Sequence, residues 1–317
     1  SYFKFFAQIQ LMLWKPRIIV ITGSNSKTTL LHLLESQIGD RAKYTHNANS
    51  SFGIPFDILG CKRKNLTLDE WPYLFLMTPF KAFKFPPKEK LYIVEADCDR
   101  EGEGKFLAEL LKPEVVIWLS SSRSHTVNFK EPIDPDSIGP DKIGIGVEEN
   151  IAAEFGYFIE NASKLIIVNS DLKLISDQLK RTNAITAKVT KKDHLKEYSI
   201  SEKGTEFLID NVKILFEELL PEDSFYSIAA TFALLKYLDI EPISFSNFYL
   251  PPGRSTKFHG IKNTTLIDSS YNATPYSMRV ILEMFNQYPS KNKWIVLGDM
   301  VELGKQEGEE HSKLAEL

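Results

Sequence analysis

Four short runs, RIIVIT (17–22), LYIVEA (91–96), VVIWLS (115–120) and KLIIVN (164–169), are apolar almost from end to end. A strand that reads this way has both faces covered, the condition met in a parallel sheet flanked by helices. Between these runs, residues 27–38, 103–112 and 150–161 carry helical patterns, and the alternation predicts a doubly wound parallel α/β sheet. From 184 to 216 the texture changes to AITAKVT, KEYSIS, TEFLID and VKILFE, which predict a small antiparallel meander appended to the sheet. A helix over 222–238 follows, and YLPPGRS (249–255) then interrupts the pattern. New strand-helix-strand units are expected at 264–268, 275–288 and 293–298. The expected organisation is a leading helix over 1–14, a central domain over 15–250 and a C-terminal domain over 251–317.

Composition excludes some partners. The 317 residues carry 38 Lys and Arg against 42 Asp and Glu, a formal net charge of −4, and no domain-scale basic patch, so nucleic acid is not expected to bind. Two distant cysteines, Cys61 and Cys98, offer neither a disulfide framework nor metal-ligand spacing, which fits a reducing cytoplasm. The run YFKFFAQIQLMLW (2–14) is apolar on much of its circumference but shorter than the ~20 residues that span a bilayer. It is expected to dock on the domain's own core. The second reading is a contact with a partner protein or the inner face of the membrane. A monomer is expected.

The first apolar run leads into ITGSNSKTT (21–29). A strand ending at Thr22, a turn through Gly23, Ser24, Asn25 and Ser26, and a helix opening with Lys27, Thr28 and Thr29 would gather backbone N–H groups at the positive end of a helix dipole. A triphosphate binds at such a point. Lys27 would bridge the β- and γ-phosphates, and the Thr28 hydroxyl would ligate Mg²⁺. The turn is shorter than G-x-x-x-x-G-K-[ST], and Ser26 stands where such loops usually carry glycine. That serine costs about 1 kcal/mol if its φ is positive and little if it is negative. An ordinary Ser/Asn-rich turn before a helix is the competing reading.

TGSNSKTT resembles the TGTNGKTT-type loop of the Mur ligases, the ATP-dependent enzymes that build the peptide of the bacterial cell wall, and the MurF type is the nearest. THNANSSFGIP (45–55) is similar to that type's T-x-x-N-x-N-N-x-x-G-x-P segment, and residues 93–129 look like its glutamate-bearing strand, the helix ending in Lys-Pro, the next strand and a histidine loop. PPGRSTKFHG (251–260) with LIDSSYNATPYSM (266–278) resembles its interdomain Gly-Arg and D-D-x-Y-N-A-N-P-x-S-M stretch. VLGDMVELGKQEGEEH (296–311) is close to V-L-G-D-M-x-E-L-G-x-x-x-x-x-x-H. The resemblance runs from about residue 15 to the end. It implies a P-loop ATP-binding central domain and a partial, Rossmann-like α/β C-terminal domain.

It also implies a reaction: ATP phosphorylates a substrate carboxylate, and an incoming amine displaces the phosphate to make an amide. In the MurF type, D-Ala-D-Ala is added to a UDP-MurNAc-peptide. By resemblance, Lys27, His125 and Arg254 take catalytic places. The nucleotide falls to Gly23, Ser24, Asn25, Ser26, Lys27, Thr28, Thr29, Arg254, Asp268 and Asn272, and the substrate to Asn49, Ser50 and Ser51. Thr28 and Glu95 would hold a first Mg²⁺ and His125 a second. Glu95 closes a buried-looking strand, where an unpaired carboxylate costs several kcal/mol, so a metal or a cation beside it is expected. Tyr271 is read as packing.

Departures matter as well. The relatives carry a lysine, carbamylated to serve the second metal, where this chain has IAAEFGYFIENASK (151–164) with Glu154 nearest. Glu154 is therefore expected to act as that ligand. The helix that opens in the family with G-x-H-N-x-x-N reads LPEDSFYSIAA (220–230), so the family's adenine contacts are not carried over. The N-terminal domain that holds the UDP end in the relatives is not in the chain, and the C-terminal domain stops after about its first half. Two other classes remain: a folylpolyglutamate synthase-like or cyanophycin-related amide ligase, and a non-catalytic nucleotide-binding descendant. YNATP and GDMVELG favour the MurF side.

Overall fold

The computed structural model describes residues 2–46, 48–63, 67–122, 128–129, 145–301, 303 and 307–316. At its centre six parallel strands lie in the order β2-β3-β1-β4-β5-β6. They are β1 (Arg17–Thr22), β2 (Ala42–Tyr44), β3 (Leu91–Glu95), β4 (Val115–Trp118), β5 (Leu165–Asn169) and β6 (Ile185–Val189). Helices α1 (Tyr2–Trp14), α2 (Lys27–Ile38), α3 (Gly53–Leu59), α4 (Glu70–Ala82), α5 (Glu103–Leu111), α6 (Ile145–Glu160) and α7 (Lys173–Gln178) alternate with them. The short α8 (Lys191–His194) leads into the antiparallel meander β7 (Leu195–Ser201), β8 (Gly204–Ile209), β9 (Val212–Phe216), and α9 (Ser224–Leu238) follows.

The unbroken apolar strands have the expected cause. Ile19 and Ile21 of β1 join one core with Leu30, Leu31 and Leu34 of α2 and with α9 and the meander. Ile18 and Val20 join the opposite core with Trp14 of α1, Leu107 of α5 and Phe155 of α6. Helix α1 docks on that second core through Ala7 and Trp14, and the Trp14 indole donates to Glu89 O at 2.7 Å.

Some expectations need correction. The run 184–190 is not part of the meander: β6 pairs parallel with β5, Leu165 opposite Ile185, as the edge of the main sheet. Helices α3 and α4 lie in a stretch for which no element was expected. In the C-terminal portion β10 (Thr256–His259) and β11 (Thr265–Asp268) form an antiparallel pair, followed by α10 (Pro275–Gln287) and α11 (Glu307–Ala315). Residues 293–298 are not a strand, and Trp294 and Val296 are 90% and 98% exposed. A strand draws its hydrogen bonds from a neighbour, and among the described residues none lies beside this run.

Strand β1 sits between β3 and β4, where the chain's excursions switch from one side of the sheet to the other. In open α/β sheets the crevice at the carboxyl ends of such strands is where ligands bind.

Candidate active site at the switch point

The loop Gly23–Ser26 leaves the carboxyl end of β1 and is fastened to the segment following β4. Ser24 N donates to Ser120 O at 3.2 Å, Asn25 N to Ser120 Oγ at 2.7 Å, and the Asn25 amide to Ser122 Oγ at 2.7 Å. Gly23 has φ +121°, and a Cβ there would lie 2.6 Å from Ser120 O, so only glycine fits. Ser26 has φ +65°, the left-handed region. The condition under which this serine costs about 1 kcal/mol is thus met.

Lys27, at the first turn of α2, is buried. Its ammonium donates to Gly23 O at 2.5 Å and lies 2.8 Å from Asp97 Oδ2. Burial opposes its charge, yet Asp97 and Glu95 outweigh that and hold its pKa above the ordinary lysine value. Thr28 Oγ1 is 3.2 Å from both oxygens of Glu95, at the end of β3. Burial pushes the Glu95 carboxyl up, against the opposing pull of Lys27. Asp97 is a residue the sequence reading missed; the signal was its place two residues beyond Glu95, one alternation further along the same strand end.

From the far portion of the chain, Arg254 Nη2 donates to Thr28 Oγ1 at 3.2 Å. Its guanidinium lies 4.0 Å from the centre of the Tyr271 ring, and its buried Nε has no hydrogen-bond partner among the described residues. Tyr271 therefore does more than pack: it holds the arginine by a cation–π contact. Thr274 caps α10 in a reciprocal capping box with Ser277, and its hydroxyl also reaches Asn25 Oδ1 at 3.4 Å.

These groups line one cavity of about 350 Å³, in the size range of small-molecule sites. Ser24 to Thr29, Asn49, Glu95, Asp97, Arg254, Tyr271 and Asn272 all contribute to its wall, and Leu220, Pro221, Val280 and Ile281 supply an apolar side. The other sequence-derived residues stand elsewhere. Ser50 Oγ accepts from Gly53 N at 3.1 Å, and Ser51 Oγ donates to Glu103 at 2.8 Å. Asp268 accepts from Ser270 N at 2.9 Å outside the cavity wall; the Ser270 hydroxyl and amide hold its carboxyl below the ordinary value. Glu154 calls for a correction. Its two oxygens accept from Gly102 N and Gly104 N, each at 2.9 Å, so this buried carboxylate caps the N-terminus of α5 and is not part of the cavity wall. His125 lies outside the described residues.

Fold and site together define a class: an α/β protein whose Gly23–Ser26 loop, at the switch point of a doubly wound sheet, opens a helix that is met by an arginine from the C-terminal portion. Comparison with known proteins narrows it. Residues 253–317 match the family described as Mur ligase, glutamate ligase domain. The UDP-N-acetylmuramoyl-tripeptide–D-alanyl-D-alanine ligase of Escherichia coli (strain K12) is 23% identical over 312 residues, 95% of this chain and 61% of that protein. The crystal structure of MurF ligase from Thermotoga maritima in complex with ADP superposes with a TM-score of 0.76 at 20% identity, covering 99% of this chain and 67% of that one. FolC of E. coli in complex with DHPP and ADP is less similar, at a TM-score of 0.56 and 16% identity over 92% of this chain and 71% of that one. The chain is thus similar to MurF-type ligases over nearly its whole length, and less similar to the folate-ligase side. It spans about three-fifths of the E. coli relative's length.

Proposed function

We propose that this chain carries the nucleotide site of an ATP-dependent amide ligase of the MurF kind, which joins D-Ala-D-Ala to a UDP-MurNAc-peptide by way of an acyl phosphate. The carrying observation is that Lys27, Thr28 and Glu95 of the central portion and Arg254 of the C-terminal portion converge on one cavity wall. Such convergence suits positioning and charge neutralisation, which dominate phosphoryl transfer. In this reading Lys27, already charged, grips the β- and γ-phosphates, and Arg254 lays its fork on the phosphates from the opposite side. The Thr28 hydroxyl and the Glu95 carboxylate make a hard oxygen pair that fits Mg²⁺. Mg²⁺ held there would supply neutralisation of the phosphate charge. His125 belongs to the reading as the second ion's ligand.

Of the three substrate residues, Asn49 is best supported, since it lines the cavity and its carbonyl accepts from Asp97 N at 2.8 Å. The base would rest on the apolar side made by Leu220, Pro221, Val280 and Ile281. The division into portions 15–250 and 251–317 belongs to the same reading.

The test is ADP and phosphate release by the full-length protein with ATP, Mg²⁺, a UDP-MurNAc-tripeptide and D-Ala-D-Ala. Release that needs all four supports the ligase. Nucleotide binding without release under any of these conditions favours a non-catalytic binder and ends the reading.

Exposed apolar side chains in and beyond α1 and α4 support the contact expected near residues 2–14. Phe5, Met12 and Leu13 of α1, Tyr73, Leu76 and Phe80 of α4, and Phe83 and Phe85 beyond it are exposed, with exposed Lys84 and Lys88 among them. Aromatic groups with interleaved lysines fit the interface of an anionic bilayer. No helix among the described residues is long and apolar enough to cross a membrane. Co-sedimentation with vesicles containing anionic lipid, reduced by Phe83→Ser with Phe85→Ser, is the expected result. A monomer by solution mass measurement is expected in their absence.

A further inference from the structure

Beside α2 and the segment after β2, three side chains stand together that the reading above leaves unused. His32 and Glu35 lie one turn apart on α2, and His46 follows β2. One ligand atom from each lies within 4.8 Å of the others. Glu35 Oε1 is 3.0 Å from His46 Nε2, and Glu35 Oε2 is 3.6 Å from His32 Nδ1.

We propose that His32, Glu35 and His46 form a transition-metal site, of the kind that takes Zn²⁺, that joins helix α2 to the segment after β2. Two imidazole nitrogens and a carboxylate oxygen are a zinc ligand set, with the fourth position left to water. Bonds of about 2.0–2.1 Å in a tetrahedron place ligand atoms about 3.3–3.4 Å apart, and the spacings of 3.0 and 3.6 Å, one to each Glu35 oxygen, fall on either side of that edge, so a small turn of the carboxylate brings one oxygen to both imidazoles.

The second observation is independent of the spacing. The His32 side chain is 94% buried, from its 6% exposure, and its Nδ1 has no hydrogen-bond partner, nor has the buried Glu35 Oε2 that faces it. Two buried polar atoms left without a bond cost about 1–3 kcal/mol each, a cost that a cation between them removes.

The surroundings suit such a site. The Tyr249 ring packs against His32 at 4.9 Å and Tyr44 stacks on His46 at 5.9 Å, restricting both imidazoles. His46 is 36% exposed and gives the ion a way in from solvent. An ion here would hold His46, three positions before Asn49 of the cavity wall, and Tyr249 would extend its hold to the segment joining the two portions.

The experiment is metal titration of the chelator-stripped chain, with Zn²⁺ followed by calorimetry and Co²⁺ by its visible absorption. One equivalent of Zn²⁺ per chain and a low-symmetry Co²⁺ spectrum are expected. His32→Gln and His46→Gln should each lose at least about 100-fold in affinity, the upper end of what loss of a mere supporting partner costs. Glu95→Gln should leave the Co²⁺ spectrum unchanged, because the phosphate site is separate. No Zn²⁺ uptake, uptake that survives both histidine changes, or a spectrum that vanishes with Glu95→Gln overturns the proposal. If His32→Gln fails to fold, His46→Gln decides alone, since that residue is partly exposed and its metal-free unfolding temperature should match the parent.

Discussion

Arg254 reaches Thr28 across 226 positions of sequence, Nη2 to Oγ1 at 3.2 Å, and so couples the C-terminal portion to the first turn of α2. Thr28 presents the same hydroxyl to Glu95. In the proposed reading, closure of the two portions on a nucleotide would be felt at that one hydroxyl and that one guanidinium.

Arg254→Lys keeps the charge but loses the fork and the stack on Tyr271. Nucleotide affinity should fall about tenfold or more, the scale of one charge-assisted hydrogen bond. Equilibrium binding of a fluorescent ATP analogue measures it, and an unchanged affinity would remove Arg254 from the phosphate site.

Lys27→Ala strips the cavity of its buried cation and leaves Asp97 and Glu95 facing each other. Turnover should drop by about 100- to 1000-fold, as when one transition-state donor is removed, and the nucleotide-free protein should lose stability. ATP binding that survives this change intact contradicts the phosphate-loop reading.

The pH dependence of Glu95 has a definite sign. Because burial raises its folded pKa, the stability linked to it is fully present below the ordinary carboxylate value of 4.5 and is lost as pH rises through the folded pKa. Glu95→Gln escapes that loss. The unfolding temperature of the variant minus that of the parent should therefore grow from about pH 4 to about pH 7 without Mg²⁺. A flat difference would show that Lys27 already compensates the carboxylate fully. The same variant should bind Mg²⁺-nucleotide more weakly.

Ser26→Gly relieves the left-handed backbone at φ +65°. A gain of about 1 kcal/mol in unfolding free energy is expected, with nucleotide binding retained. Chemical denaturation measures the first and calorimetry the second.

Glu154→Ala should destabilise the fold by about 1–3 kcal/mol by orphaning the Gly102 and Gly104 amides. Its Mg²⁺ dependence should match the parent's. A shifted Mg²⁺ dependence with unchanged stability would restore Glu154 as a ligand.

Much of this was legible in the chain itself. Continuous apolar runs such as RIIVIT require burial on two faces, and only a helix-covered parallel sheet offers that to several short strands. A lysine and a threonine opening a helix behind a tight turn likewise carry their meaning locally, because the amides and dipole they exploit belong to the same segment. The rest depended on partners distant in sequence. Whether residues 185–189 join the meander or the main sheet turned on the free edge of β5. Glu154, read as a metal ligand, went to two amides 50 and 52 positions away, while Asp97, unread, met Lys27 from another strand end. The φ of Ser26 is set by a loop fastened to Ser120 and Ser122. Periodicity and local chemistry determined the central strands and their helices and marked the candidate phosphate loop. Only the tertiary structure decided which carboxylate faces which cation, since a charge or an open hydrogen-bonding edge takes the partner that folding brings within reach.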